Sequence, residues 1–400
     1  MNLKPLTGLA LTALATALPV QAEVYYEMSG KVSAELRAFT QDTAYAGQEQ
    51  DYNLSFAAEP EFYWEWNDGT DNVTFKPFFR VDQHDSERTH GDIRELNWVH
   101  VGDDWELRTG LRKEYWGVTE FQHLVDVINQ TDAVEDFDGE DKLGQPMINL
   151  SLVRDWGIVD LFVLPGFRER TFAGEDGRLR GSLIVDDDAA RYESGAKDKH
   201  VDLAVRWSHT IDVFDLGLHW FRGTNRDPLL QVDTINGKQV LVPYYEQMNQ
   251  FGFDAQATID SWLWKWETIW RDTDREDYWA TQAGFEYTFY GVADSVADVG
   301  MLLEYGWDER GEDPNAQFQN DLYMGARLTL NDENSTELLA GVGYDMDYQS
   351  KSLIVEASRR FGQNWKVSID GRFFSSDDAA DPAYAIRQDD HIQLTVERYF

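Results

Sequence analysis

From Tyr26 onward apolar and polar positions alternate in stretches of ten to thirteen residues, and the three-and-four spacing of an amphipathic helix is nearly absent. Tyr26, Met28, Gly30, Val32, Ala34, Leu36 and Ala38 share one face, opposite Glu27, Ser29, Lys31, Ser33, Glu35 and Arg37. Leu54, Phe56, Ala58, Phe62, Trp64 and Trp66 oppose Ser55, Glu59, Glu61 and Glu65, and Trp262, Trp264 and Trp266 oppose Lys265 and Glu267. Stretches of this length suit tilted membrane-crossing strands and exceed the mean globular strand of about five or six residues. A soluble sandwich would turn its apolar face into a core. Here that face gathers Trp, Tyr and Phe near the strand ends, as interfacial girdles do, and the other face is charged enough for a hydrated lumen.

The pattern predicts an all-β chain, an antiparallel transmembrane β-barrel of eighteen strands with sixteen the neighbouring alternative, closed by the C-terminal strand. The strands fall near 26–39, 52–66, 72–84, 91–101, 104–116, 147–155, 158–168, 199–209, 213–224, 249–259, 262–272, 277–290, 297–307, 320–331, 335–345, 351–361, 364–375 and 388–400. Links after even-numbered strands are tight and turn-rich, such as Asn67-Asp68-Gly69 and Gly362-Gln363-Asn364. Links after odd-numbered strands are generally longer, notably 117–146, 169–198, 225–248, 308–319 and 376–387, which matches the short periplasmic turns and long external loops of bacterial barrels. On the last strand Ile392, Leu394, Val396 and the terminal Phe400 share a face. They resemble the C-terminal signal read by barrel-assembly machinery, with Arg398 at a position usually apolar.

The remaining composition narrows the setting. Residues 1–22 read as a secretory signal: Lys4, a short apolar run from Leu9 to Val20, and Val20-Gln21-Ala22 as a cleavage site after Ala22. Its removal leaves 23–400 as the barrel and moves the formal charge from −38 to −39. With the alternation, this places the chain in the bacterial outer membrane, among lipid and lipopolysaccharide. The acidic excess excludes a nucleic-acid partner, and the absence of Cys excludes disulfides, thiolate metal sites and cysteine catalysis.

Candidate chemistry lies on the polar face and in the long links. Segment 117–146 has an apolar first half (Phe121, Leu124, Val125, Val127, Ile128) that an external loop would have little use for, so it is a candidate lumen-constricting loop. Arg80, Arg108, Arg112 and Arg168, with Glu61, Asp82 and Glu106, are candidate pore-lining residues. Opposite charges on neighbouring strands either satisfy one another as ladders or form facing arcs across a transverse field, and ladders are the reading preferred. A stripe of the four arginines would favour anionic or zwitterionic solutes. Asp136, Asp138 and Glu140 are weak calcium candidates, lacking an EF-hand's glycine register and distal glutamate. None of the eight His pairs with a nucleophile motif or a second His at helical spacing, so no catalytic residue, metal or cofactor is assigned and no enzyme is read.

Arg94-Glu95-Leu96, Trp116-Gly117-Val118-Thr119-Glu120, Val125-Asp126-Val127-Ile128-Asn129-Gln130-Thr131-Asp132 and Leu164-Pro165-Gly166-Phe167 resemble a family of uncharacterised proteobacterial outer-membrane proteins. That family carries an "RE" strand, a "WG" strand end and a "D-V-I-N-P-x-D" segment. The resemblance covers roughly residues 91–170, with Gln130 in place of the proline, and the chain is shorter than typical members. It implies a large porin-like barrel, in a family associated with exporters of the resistance-nodulation-division type. The expected function is a channel for small hydrophilic solutes. The alternative is a plugged or accessory barrel that passes lipid or hydrophobic cargo with such an exporter.

Overall fold

The computed structural model describes residues 24–49, 51–136, 138–313, 315–316 and 318–400, so the signal-peptide reading lies outside the described residues. The first strands are β1 (Tyr25–Phe39), β2 (Tyr52–Trp66), β3 (Asp71–Asp82), β4 (Gly91–Val101), β5 (Trp105–Arg112), β6 (Gln145–Arg154) and β7 (Gly157–Pro165). A two-residue β8 (Arg191–Tyr192) precedes β9 (Val201–Ile211), β10 (Phe214–Thr224), β11 (Leu229–Ile235), β12 (Lys238–Tyr245) and β13 (Gln247–Ile259). Then come β14 (Trp262–Thr273), β15 (Asp277–Phe289), β16 (Asp298–Asp308), β17 (Asn320–Thr329), β18 (Glu337–Asp345), β19 (Lys351–Phe361), β20 (Trp365–Ser375) and β21 (His391–Tyr399).

Eighteen of these strands form one sheet in which each pairs antiparallel with its chain neighbours, and β1 pairs with both β2 and β21. The sheet is a closed barrel with no free edge, the condition under which strands can cross a bilayer. At the seam, beyond the ladder from Lys31↔Tyr399 to Phe39↔His391, Gly30 and Phe400 exchange two backbone hydrogen bonds of 3.2 and 3.1 Å.

The period-two stripes are the outer wall. Met28, Phe56, Phe79, Trp264, Trp279 and Ile392 are about half exposed, while Glu35, Ser55, Asn149, Asp202 and Glu267 on the alternate positions are buried toward the interior. The turns follow the sequence signals: Asn67, Asp68, Asp212, Asp260 and Asn331 adopt positive φ, which Asn and Asp tolerate best after glycine. One irregularity aims a side chain. The β3–β4 register shifts between Lys76 and Pro77, so that Glu95 and Ile93 pair with adjacent residues and Arg94 is the extra one. Pro77, which cannot donate to a ladder, sits at this bulge, and Arg94 is buried.

Two differences from the alternation bear on the site. The fifth strand, expected to reach 116, stops at Arg112 because the next backbone amides find acceptors elsewhere: Glu114 N–H on Asn129 Oδ1, and the Trp116 and Gly117 N–H groups on Asp126 Oδ1. The link expected over 225–248 contains the β11–β12 hairpin, which joins β8 in a separate three-stranded sheet. Its turn is Asn236-Gly237, both at positive φ, between alternating Leu230, Val232, Val240 and Val242.

Candidate functional site

Residues 113–144, between β5 and β6, lie against the inward side chains of strands all around the barrel. Trp116, Val125, Val127 and Ile128 are buried in one apolar cluster with Met147, Phe162, Leu164, Phe221, Met248 and Ile269, contributed by β6, β7, β10, β13 and β14. Farther along, Phe121 stacks on Tyr323 of β17, with centroids 5.0 Å apart and planes 12° apart. Gly325 and Gly341 make room for its ring, since a Cβ on Gly341 would meet it at 3.0 Å.

Two wall carboxylates hold the segment's backbone. Glu267 Oε1 of β14 accepts from the Val118 N–H (2.6 Å), the Thr119 N–H (2.9 Å) and Thr119 Oγ1 (2.7 Å), while its Oε2 accepts from the Val125 N–H at 3.2 Å. Glu304 of β16 accepts from the Glu120 and Phe121 N–H groups at 2.8 and 3.2 Å and from Gln282 Nε2 at 3.0 Å. Amides that leave a strand inside a protein need acceptors, and a charged acceptor makes the stronger bond. Glu120 in turn meets Lys265 at 3.3 Å and Arg327 at 2.5 Å.

The second half is tied by cations. Arg94, delivered by the bulge, pairs with Asp132, and Arg80 meets Glu135 at 2.6 Å. Arg88 donates to the Val134 carbonyl (3.2 Å), Arg226 to the Ile128 carbonyl (3.0 Å), and Arg372 of β20 meets Asp138 at 3.3 Å. Residues in the 94–132 runs singled out by the sequence also fix this segment. Asp126 caps the Trp116-Gly117 amides, Asn129 joins the carbonyls of Arg112 and Leu143, and Arg94 meets Asp132. Gln130 is fully buried and accepts from Arg170 Nε at 3.2 Å.

The sequence-derived candidates separate into pairs. Arg108 and Arg112 meet on Asn149 Oδ1, at 3.3 and 3.1 Å, and are paired with Glu106 and Glu114. Arg80 is held apart from them between Glu35 and Glu135, and Arg168 lies beyond β7 on Asp92 at 2.8 Å. Glu61 pairs with Lys76 (2.8 Å), and Asp82 with Arg88 (3.1 Å) and Asn53 (2.8 Å). Lys76–Glu61 and Asp82–Asn53 join adjacent strands as rungs of a ladder, whereas Arg108–Glu106 lies within β5 and Arg80–Glu35 crosses from β3 to β1. Arg206 of β9 and Asp254 of β13 likewise skip a strand, meeting at 2.7 Å over Gly217 of β10, where a Cβ would lie 2.4 Å from both partners.

Of the weak calcium candidates, Asp138 is engaged by Arg372 and Glu140 by His123 at 2.8 Å. Burial opposes the charge on His123, but the bonded Glu140 carboxylate outweighs it and holds the ring at about 9. A pKa raised above the unfolded value contributes stability that is complete below about 6.5 and fades as pH rises through 9. The His123 ring should therefore titrate near 9 by NMR. The amides of 138–142, corrected for intrinsic exchange, should lose protection across that same pH step and not between 5 and 7.

Ile392, Leu394, Val396 and Phe400 lie together on the outer face of the seam, with Arg398 over the Trp365 ring at 5.5 Å. The anchors Glu267 and Glu304 were legible only as inward-facing acids, because their contacts to the segment cross 142 to 184 residues of chain.

No protein-family model matches the chain, and no curated protein matches it. Among solved structures it is similar to OmpT, an outer membrane protein of Vibrio cholerae, in its in-vitro folded trimer form. The identity is 9%, 94% of this chain and 99% of that chain are covered, and the TM-score is 0.48. It is likewise similar to a mutant of the Rh. blastica porin, at 11% identity over 94% of this chain and 100% of that one, with a TM-score of 0.47.

Proposed function

We propose that the protein is an outer-membrane channel through which small hydrophilic solutes diffuse down their gradient, with the lumen narrowed by residues 117–146. The carrying observation is that this segment is anchored to inward side chains of β3, β4, β14, β16, β17 and β20 while charged groups on the inner wall keep contact with water. Lys31, Glu61, Arg327 and Glu356 are 33 to 42% exposed. The half-exposed apolar outer wall fits lipid and lipopolysaccharide as surroundings, and the Phe400 seam fits recognition by assembly machinery. In a planar bilayer the purified protein should give discrete conductance steps, and deletion of 120–142 should enlarge them. Silence from both forms would sink the channel reading.

A plugged barrel serving hydrophobic cargo has one observation in its favour, the apolar cluster between the segment and the β6–β14 wall. Such a barrel would stay non-conducting with the segment in place.

If Arg112 and its Glu114 partner border the ion path, Arg112→Glu leaves carboxylates where a neutral pair stood. The reversal potential in a salt gradient should move toward cation preference. An unchanged potential would put this pair outside the path.

A further inference from the structure

We propose that His90, Asp132 and Glu135 form a divalent-metal site, best suited to Zn²⁺, that ties the inward segment to the link between β3 and β4. One ligand atom from each of the three lies within 4.8 Å of the others, and His90 Nε2 is 3.4 Å from Glu135 Oε1. The carboxylates are set by a single turn, in which the Glu135 N–H donates to the Asp132 carbonyl at 3.0 Å.

The other ring nitrogen decides what His90 offers. Nδ1 lies 3.2 Å from the Arg88 carbonyl, which can only accept, so Nδ1 carries the proton and Nε2 presents a lone pair. Nε2 is shielded from solvent and has no hydrogen-bond partner. An acceptor facing carboxylate oxygens needs a cation between them, either a second ring proton or a metal ion. The surroundings match a metal's outer shell. Arg94 and Thr171 Oγ1 (2.7 Å) hold the two oxygens of Asp132, and Arg80 holds both oxygens of Glu135. Ligands so fixed are pre-oriented, and a carboxylate with about four lone-pair sites keeps some free for a metal. Of the guanidiniums facing the group, Arg80 meets Glu35 and Glu135, Arg88 meets Glu35 and Asp82, and Arg94 meets Asp132, Asp92 and, at 3.9 Å, Glu135 Oε1. One imidazole and two carboxylates, with a fourth position left to water, is a donor set that zinc accepts.

The test does not depend on conduction. Full-length protein freed of metal by a chelator is titrated with ZnCl₂ by calorimetry, beside His90→Ala. That variant removes contacts to a carbonyl, a carboxylate and the Phe78 ring (centroids 5.5 Å apart), and its strand content is checked by circular dichroism. One site per chain is expected, weakened by at least about tenfold in H90A. X-ray absorption of the zinc-loaded protein should show an imidazole within a nitrogen and oxygen shell at about 2.0–2.1 Å. Absence of binding to the native chain overturns the proposal and leaves the imidazolium–Glu135 pair. Equal affinity in folded H90A, or a shell without imidazole, also overturns it.

Discussion

Replacing Glu267 and Glu304 together by alanine should detach residues 117–125 from the barrel wall without opening the barrel. Glu267 alone serves three N–H groups and a hydroxyl, and Glu304 two more N–H groups. A buried donor left without its partner costs about 1–3 kcal/mol, and lumen water recovers part of this. Even a fraction of that sum exceeds what Phe121 on Tyr323 supplies, since an aromatic pair is worth about 0.5–1.5 kcal/mol beyond its burial. The strand ladders do not run through these side chains, so strand content should hold. Hydrogen exchange should show the amides of 118–125 losing protection, and bilayer conductance should rise. Retained protection would mean that the apolar cluster around Val125 and Ile128 anchors the segment by itself.

Gly30→Val should prevent closure of the barrel. Gly30 sits at φ +152 on the seam, and a Cβ there would approach Glu59 O and Pro60 Cα at 2.7 Å and the Phe400 ring at 3.0 Å. The two nearest atoms are backbone, which cannot swing aside, and a β-branched residue is strained at that φ. Phe400→Asp attacks the same seam from its other side: it removes the ring that covers Gly30 and places a charge on the lipid face. At mid-bilayer a basic charge there would cost about 2–4 kcal/mol, and an acidic one less, falling to about 0–1 kcal/mol near the interface. Both variants should accumulate as protease-sensitive chain outside the membrane fraction. Native-like insertion of both would refute the role assigned to this seam.

The barrel was legible because most strands write their outer face as a period-two stripe, broken at the β3–β4 bulge. The Met28 to Leu36 and Trp262 to Trp266 runs need no knowledge of their neighbours to be read. The β11–β12 hairpin carried the same kind of signal, with Asn236-Gly237 as a strong turn cue, and was absorbed into a long link because its strands lie outside the barrel. The end of β5 was not legible. It depends on Asp126 taking two amides ten and nine residues upstream, and a side chain's choice of acceptor leaves no periodicity. The candidate site was legible as a set of inward charges and an apolar link. Which charge meets which was hidden by contacts such as Arg206 with Asp254, which skip a strand over Gly217.

The apolar cluster that fills the barrel behind residues 116–128 divides the molecule's tolerance of change. Inward positions such as Phe162, Phe221 and Ile269 are core positions, where a large-to-small exchange costs about 2–5 kcal/mol. Inward positions such as Glu356 of β19 and Asp370 of β20, at 42 and 29% side-chain exposure, are close to surface sites. A redesign of the lumen can therefore rewrite such exposed inward positions one by one, while the apolar cluster must be repacked as a unit and the anchors Glu304, Arg372, Arg80 and Arg94 changed only with their partners.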